Sequence, residues 1–182
     1  TESFWLEQME GEIPVLELPY DFPRPLVQRF EGAETRFEIS PRQTSQLNRL
    51  AQESRTTPYM VLLALYSVLL SKLSNQEDII IGTPTAGRNM TGLESIIGMF
   101  VNTLALRLHP TGTHAFSHYL EHLRSTILKA FENQDYPFED LVDRLSVSRD
   151  TGRNPLFDVV FAFQEAPDPQ ITAGDLVLKP QS

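Results

Sequence analysis

The sequence predicts an α/β layered sandwich, a mixed sheet flanked by helices. Three observations carry that prediction. Asp78 to Gly82 runs through consecutive isoleucines into a glycine, as a strand buried on both faces does. Phe116, Leu120, Leu123, Ile127 and Phe131 form one apolar stripe at helical spacing. Phe157, Val159, Phe161 and Phe163 alternate with Asp158, Val160, Ala162 and Gln164, the period of a strand. Strands that alternate with helices give layered α/β bodies.

The elements follow in chain order. Residues 1–34 read as an extended, irregular connector, because Pro14, Pro19, Pro23 and Pro25 break regular structure. Trp5 and Leu6 can pin it to the body formed by residues 35–182. Thr35 to Ile39 alternates and reads as a strand with Phe37 and Ile39 on one face. Pro41 to Ser54 reads as a helix with Leu47, Leu50 and Ala51 inward. Thr56 or Thr57 can cap the next helix, and Pro58 suits its first turn, where a missing N–H is harmless. That helix runs to about Leu73. Apolar residues surround it almost completely, so it is expected to be central and buried.

After the isoleucine strand, Pro84 to Gly92 reads as a loop and Glu94 to Ile97 as a helical turn. Phe100 to Leu108 is strand-like. His114 to Asn133 is the amphipathic helix, and Pro137 to Leu145 a shorter one. Pro155 to Gln164 is expected to be a central strand, since Val160 makes its second face partly apolar. Asp175 to Lys179 reads as a last strand.

Bulk properties narrow the function classes. The chain has 182 residues, enough for one domain with a real core. A formal net charge of −9 argues against a nucleic-acid surface. The absence of cysteine excludes disulfides, thiolate metal sites and a cysteine nucleophile, and is compatible with a cytoplasmic location. The acidic first residues do not read as a signal peptide. Tyr59 to Leu70, the most apolar stretch, is too short to cross a bilayer, so no membrane partner is expected. Asn89-Met90-Thr91 matches a glycosylation sequon but reads as chance without a secretion signal.

Several groups of residues carry chemical types worth weighing. His114, His118 and His122 lie four apart, a spacing that can share a zinc ion. At about 100° per residue they point away from the Phe116/Leu120/Leu123 stripe, toward solvent. We therefore assign no metal site. His109 reads as a loop residue. Gly82 to Arg88 follows a strand but lacks the ending of a phosphate loop. No Ser/His/Asp constellation can be assembled, and no catalytic residue is assigned to the chain.

Gly98 permits a backbone shape that side chains forbid. Asn102 and Thr103 form a polar pair between Phe100-Val101 and Leu104-Ala105, and must find hydrogen-bond partners or face a channel. Asn133-Gln134-Asp135-Tyr136-Pro137-Phe138-Glu139 reads as a corner between helices. Pro137 opens the second helix, Glu139 sits near its positive end and Phe138 packs inward. Capping thus explains Asp135 and Glu139 better than a catalytic carboxylate pair. Asn154, just before Pro155, is held out of the helical region at a strand entrance. It can cap the turn or project its amide into a site, and Gln164 lies at the strand's other end.

These segments resemble the second half of a nonribosomal peptide synthetase condensation domain. Gly98 to Thr103 is similar to the family's GxFVNT, Asn133 to Glu139 to (H/N)QDYPFE, and Arg149 to Leu156 to RDxSRNPL, with Gly152 where serine is usual. Phe4-Trp5-Leu6, Leu16 to Pro19, Tyr59 to Ala64 and Asp78 to Pro84 also fit. The resemblance implies one lobe of a chloramphenicol-acetyltransferase-like fold. It further implies a role in joining donor and acceptor thioesters carried on the phosphopantetheine arms of carrier proteins.

In that reading Gly98, Asn102 and Thr103 shape the floor of the substrate channel. Asn154 and Gln164 approach the channel, and Arg88 faces it or ties down its loop. Asp135, Tyr136, Pro137, Arg149, Asp150 and Arg153 are scaffold. Implied partners are the N-terminal lobe of the same domain, carrier proteins and a neighbouring adenylation domain.

The family's catalytic HHxxxDG has no counterpart in this chain. Activity is therefore expected to be absent from the chain alone. Family members continue past Asp175 to Leu178 with further strands, so an exposed sheet edge is expected. The retained RDxxRNPL segment favours condensation over the related epimerization and heterocyclization domains. A non-catalytic module that docks a carrier is the remaining alternative.

Overall fold

The computed structural model describes residues 1–28, 31–87, 92, 96–147 and 150–164, and the backbone of strands at 171–173 and 176–178. The order is α1 (Glu2–Gln8), α2 (Pro41–Glu53), α3 (Pro58–Ser74), β1 (Ile79–Thr85), β2 (Asn102–Leu108), α4 (Phe116–Glu132), α5 (Phe138–Leu145), β3 (Ile171–Ala173) and β4 (Leu176–Leu178). Among these residues no single helix is long and apolar enough to cross a membrane.

β1 and β2 are antiparallel, with Ile79 opposite Leu108 and Thr85 opposite Asn102. On the other side of β1, Val160 forms a parallel bridge with Gly82. The Gly82 N–H donates to the Val159 carbonyl (3.0 Å), and the Phe161 N–H donates to the Gly82 carbonyl (2.8 Å). The layer is therefore mixed, with β1 in its middle. Ile79, Ile80 and Ile81 are all buried, as a strand flanked on both sides and covered by helices requires. α3 packs on β1, and α4 and α5 on β2. β3 and β4 form a separate antiparallel pair.

Local chemistry sets the helix starts. Ser40 opens α2 with a capping box: its Oγ accepts from the Gln43 N–H, and the Gln43 Oε1 accepts from the Ser40 N–H. Thr57 caps α3 by accepting from the Met60 N–H, with Pro58 in the first turn. Leu120, Leu123 and Ile127 of α4 are buried, and Phe116 and Phe131 pack half-buried at the ends of the stripe.

Four expectations need correction. Residues 2–8 are a helix rather than irregular chain, because Trp5 is buried against the body and organises one turn on either side. Thr35 to Ile39 is not a strand: among the described residues no strand pairs with it, and Phe37 is 84% exposed. The stretch from Pro155 to Gln164 is not a central strand. It touches β1 through one bridge, and among the described residues no strand pairs with its other side. Finally, α3 is buried on one side only, with Leu65, Leu69 and Leu73 exposed along the other.

Two long-range ties fasten the first residues to the body. The Trp5 indole N–H donates to the Asn133 carbonyl (2.9 Å). Arg107, at the end of β2, donates to the Glu10 and Glu12 carbonyls (2.8 and 2.9 Å) while its Nε and Nη2 grip the Asp78 carboxylate. That carboxylate holds the Arg107 guanidinium above its usual pKa.

Candidate functional site

Asn102 stands at the start of β2, opposite Thr85. Its Nδ2 donates to the carbonyls of Gln134 (2.7 Å) and Tyr136 (2.8 Å). Its Oδ1 accepts from the N–H groups of Thr103 (2.9 Å) and Phe138 (3.3 Å). Asn102 thus finds its partners in the corner between α4 and α5. Pro137 is the N-cap of α5, whose first turn carries Glu139 and Asp140, where the helix dipole favours negative charge. Asp135 is exposed and Tyr136 half-buried.

Phe138 joins the corner to a third segment. Its ring lies 5.4 Å from that of Phe157, which follows Asn154-Pro155-Leu156. Phe157 in turn lies against Gly82, where a Cβ would stand 2.6 Å from the ring. Segments that are far apart in the sequence therefore meet around Asn102 and Phe138. Tyr59 adds a fourth contact: its hydroxyl donates to Thr83 Oγ1 (3.0 Å), which donates to the Phe161 carbonyl (2.9 Å). Burial raises the Tyr59 pKa.

Gly98 does not use the backbone freedom expected of it. Besides Gly92, the glycine with positive φ that precedes this loop is Gly87, at +61°. A Cβ there would fall 1.7 Å from the Phe100 carbonyl oxygen, so only glycine lets the two backbones come together. Ile97, Met99 and Val101 project outward from the loop and are exposed. Thr103 is half-buried, opposite Pro84 in the ladder.

Asn154 is exposed, and its Oδ1 accepts from the N–H groups of Leu156 (3.1 Å) and Phe157 (3.3 Å). Turn capping accounts for that oxygen. Arg153 grips Asp158 with two hydrogen bonds (3.0 and 2.6 Å), and Arg24 reaches the same carboxylate at 3.2 Å. The hydrogen bond to Asp158 raises the Arg153 pKa. Asp150 accepts from the Gly152 N–H. A cleft of about 250 Å³ runs between Ile13–Val15 and Asn154, Arg153 and Phe157. Gln164 is exposed. Arg88 and Arg149 lie outside the described residues.

His114, just before α4, and His118 and His122 on it are exposed, with the first two rings stacked at 4.9 Å. Among the described residues no group of three or more His, Asp or Glu side chains is arranged to hold a metal ion. Sequence reasoning passes over Arg107, Asp78, Arg24 and Asp158. Their signal is faint: an arginine ending an apolar strand and an aspartate opening another are common at strand ends.

Comparison with known proteins decides the family. Residues 1–178 match the Condensation domain family. The chain belongs to that family. Over 178 residues this condensation-domain chain is 52% identical to a plipastatin synthase component of Bacillus subtilis (strain 168), covering 98% of the chain and 7% of that protein. It is 52% identical over 181 residues to tyrocidine synthase 3 of Brevibacillus parabrevis, covering 100% of the chain and 3% of that protein. The chain thus spans less than a tenth of the length of these relatives.

Among solved structures, a four domain nonribosomal peptide synthetase bound to AMP and glycine superposes with a TM-score of 0.88 at 29% identity, over 91% of this chain and 13% of that one. The first condensation domain of the CDA synthetase matches with a TM-score of 0.69 at 19% identity, over 97% of this chain and 37% of that one, and bears on the fold alone. The α/β class expected from the sequence is the fold these condensation domains share.

Proposed function

We propose that this chain is the C-terminal lobe of a condensation domain that forms a peptide bond between carrier-tethered donor and acceptor thioesters. It supplies the channel floor and the acceptor-side wall. The observation that carries this reading is the meeting of the three family segments around Asn102, Phe138 and Phe157, in a chain matched to the family almost end to end.

In the reaction the acceptor amine nitrogen attacks the donor thioester carbonyl. A C–N bond forms, the C–S bond breaks, and the amine proton leaves as the thiolate is released and protonated. Aminolysis of a thioester is downhill, so holding amine and carbonyl together can supply much of the rate. The lobe's residues serve that end. Gly98 to Val101 forms the floor, Asn102 and Thr103 its fixed edge, and Asn154 and Gln164 approach from the two ends of the segment that bridges to β1. The phosphopantetheine arms arrive on carrier proteins, and the HHxxxDG histidine, which orients the amine or manages its proton, comes from the N-terminal lobe. An adenylation domain is the expected neighbour.

The test is reconstitution. The chain joined to an N-terminal lobe bearing HHxxxDG should form amide from loaded carriers, and the chain alone should form none. Amide synthesis by the chain alone, or none by the joined lobes, would overturn the proposal.

A further inference from the structure

We propose that Asn102 is a positioning residue for peptide bond formation, whose side chain fixes the loop at 96–101 to the corner between α4 and α5. The inference rests on the reading above and deepens it. An asparagine amide has two N–H donors and one carbonyl acceptor with two lone pairs. Here both donor and acceptor sides are engaged, toward Gln134, Tyr136, Thr103 and Phe138. The amide is therefore committed to protein backbone and acts on the channel through the loop it holds, not by touching substrate.

The loop is secured at two places. At its end, Asn102 ties β2 to the corner, and the Asn102 carbonyl accepts from Thr85 Oγ1 (3.4 Å). Two residues before Asn102, the Phe100 carbonyl rests where a Cβ on Gly87 would be. Val101 between these points, and Ile97 and Met99 before them, are turned outward. Moving the corner moves the end of the loop, and with it those side chains. α4 and α5 therefore set the level of the channel floor through one amide.

Asn102→Asp is the discriminating variant. A carboxylate still accepts from Thr103 and Phe138 but has no N–H for the Gln134 and Tyr136 carbonyls, which it repels. Asn102→Ala, which removes both halves without adding charge, guards against misfolding of the first. Both are made in the intact two-lobe domain. Amide hydrogen exchange is expected to accelerate about tenfold or more at residues 96–101 and 134–138, with β1 and α3 within about threefold of wild type. The kcat for amide formation is expected to fall about tenfold or more, with KM for loaded carriers within about threefold.

Unchanged exchange at 96–101, equal acceleration throughout β1, or a rise in KM at unchanged kcat would each overturn the proposal. A wild-type domain that forms no amide would instead overturn the functional reading. The exchange data would then still decide whether Asn102 holds the loop.

Discussion

Gly152 lies against the carbonyl of Pro25, so closely that a Cβ on the glycine would stand 2.8 Å from that oxygen. Arg24 donates to the Gly152 carbonyl and Thr151 Oγ1 to the Leu26 carbonyl, so the contact is bracketed on both sides. The glycine that departs from RDxSRNPL thus has a packing role. It is the place where the Pro-rich segment lies directly on the body.

Restoring the usual serine should therefore destabilise this chain. Gly152→Ser and Gly152→Ala should each cost about 1–3 kcal/mol, the range for forcing extra atoms into a close contact. Urea denaturation would show a lower midpoint, and proteolysis would cut faster within residues 20–28. A serine variant at wild-type stability would mean that the segment moves aside at no cost.

Arg107 serves Asp78 and two backbone carbonyls at once. Arg107→Ala should lower stability by about 1–3 kcal/mol, because the partners lose charge-assisted donors in a half-buried setting. Arg107→Lys should recover less than half, since an ammonium cannot fork to a carboxylate and two carbonyls together. Denaturation midpoints of the three proteins check the order.

Trp5 is the single tryptophan, 2% exposed, with its indole N–H bonded to Asn133. Its emission should be blue-shifted in the native chain and move to the red on unfolding. Trp5→Phe should cost about 1–2 kcal/mol for the lost hydrogen bond and volume, and Trp5→Ala about 3–5 kcal/mol. Equal effects would show that the ring which phenylalanine retains carries no weight beyond the lost hydrogen bond.

Tyr119 supplies a pH dependence. Burial pushes its pKa up to about 12, against a partial opposing effect of its hydrogen bond with Ser67. The raised folded value means that this contribution is fully present below the unfolded value near about 10 and is lost as pH rises toward about 12. The loss should reach about 2–3 kcal/mol. Denaturation between about pH 9 and about pH 12 should show a shallower decline for Tyr119→Phe than for wild type. Tyr59 and Tyr66, also raised by burial, should keep the decline from vanishing.

The sequence discloses those features whose cause is local. α2, α3, α4 and α5 announce themselves through caps and apolar spacing, and β1 through its isoleucines. Where a partner far along the chain decides, local pattern misleads. Thr35 to Ile39 alternates like a strand, yet no described strand pairs with it. Residues 155–164 alternate more strongly and make one bridge. The Asn102 pair is legible as needing partners, but their identity depends on a corner more than thirty residues later. Spacing points to Gly98 rather than to the Gly87–Phe100 approach, because a glycine's neighbour across a loop leaves no trace in the local pattern.

The tie between Trp5 and Asn133 spans 128 positions. A ribosome adding about 5–20 residues per second needs roughly 6–25 s to cover that interval. The helix at 2–8 must therefore wait, its indole uncovered, until the corner that receives it has emerged. Birth order and settling order are reversed: the earlier residues are among the last to find their place. A ribosome stalled before residue 133 would display a bare tryptophan to chaperones and proteases, a mark that synthesis has stopped short.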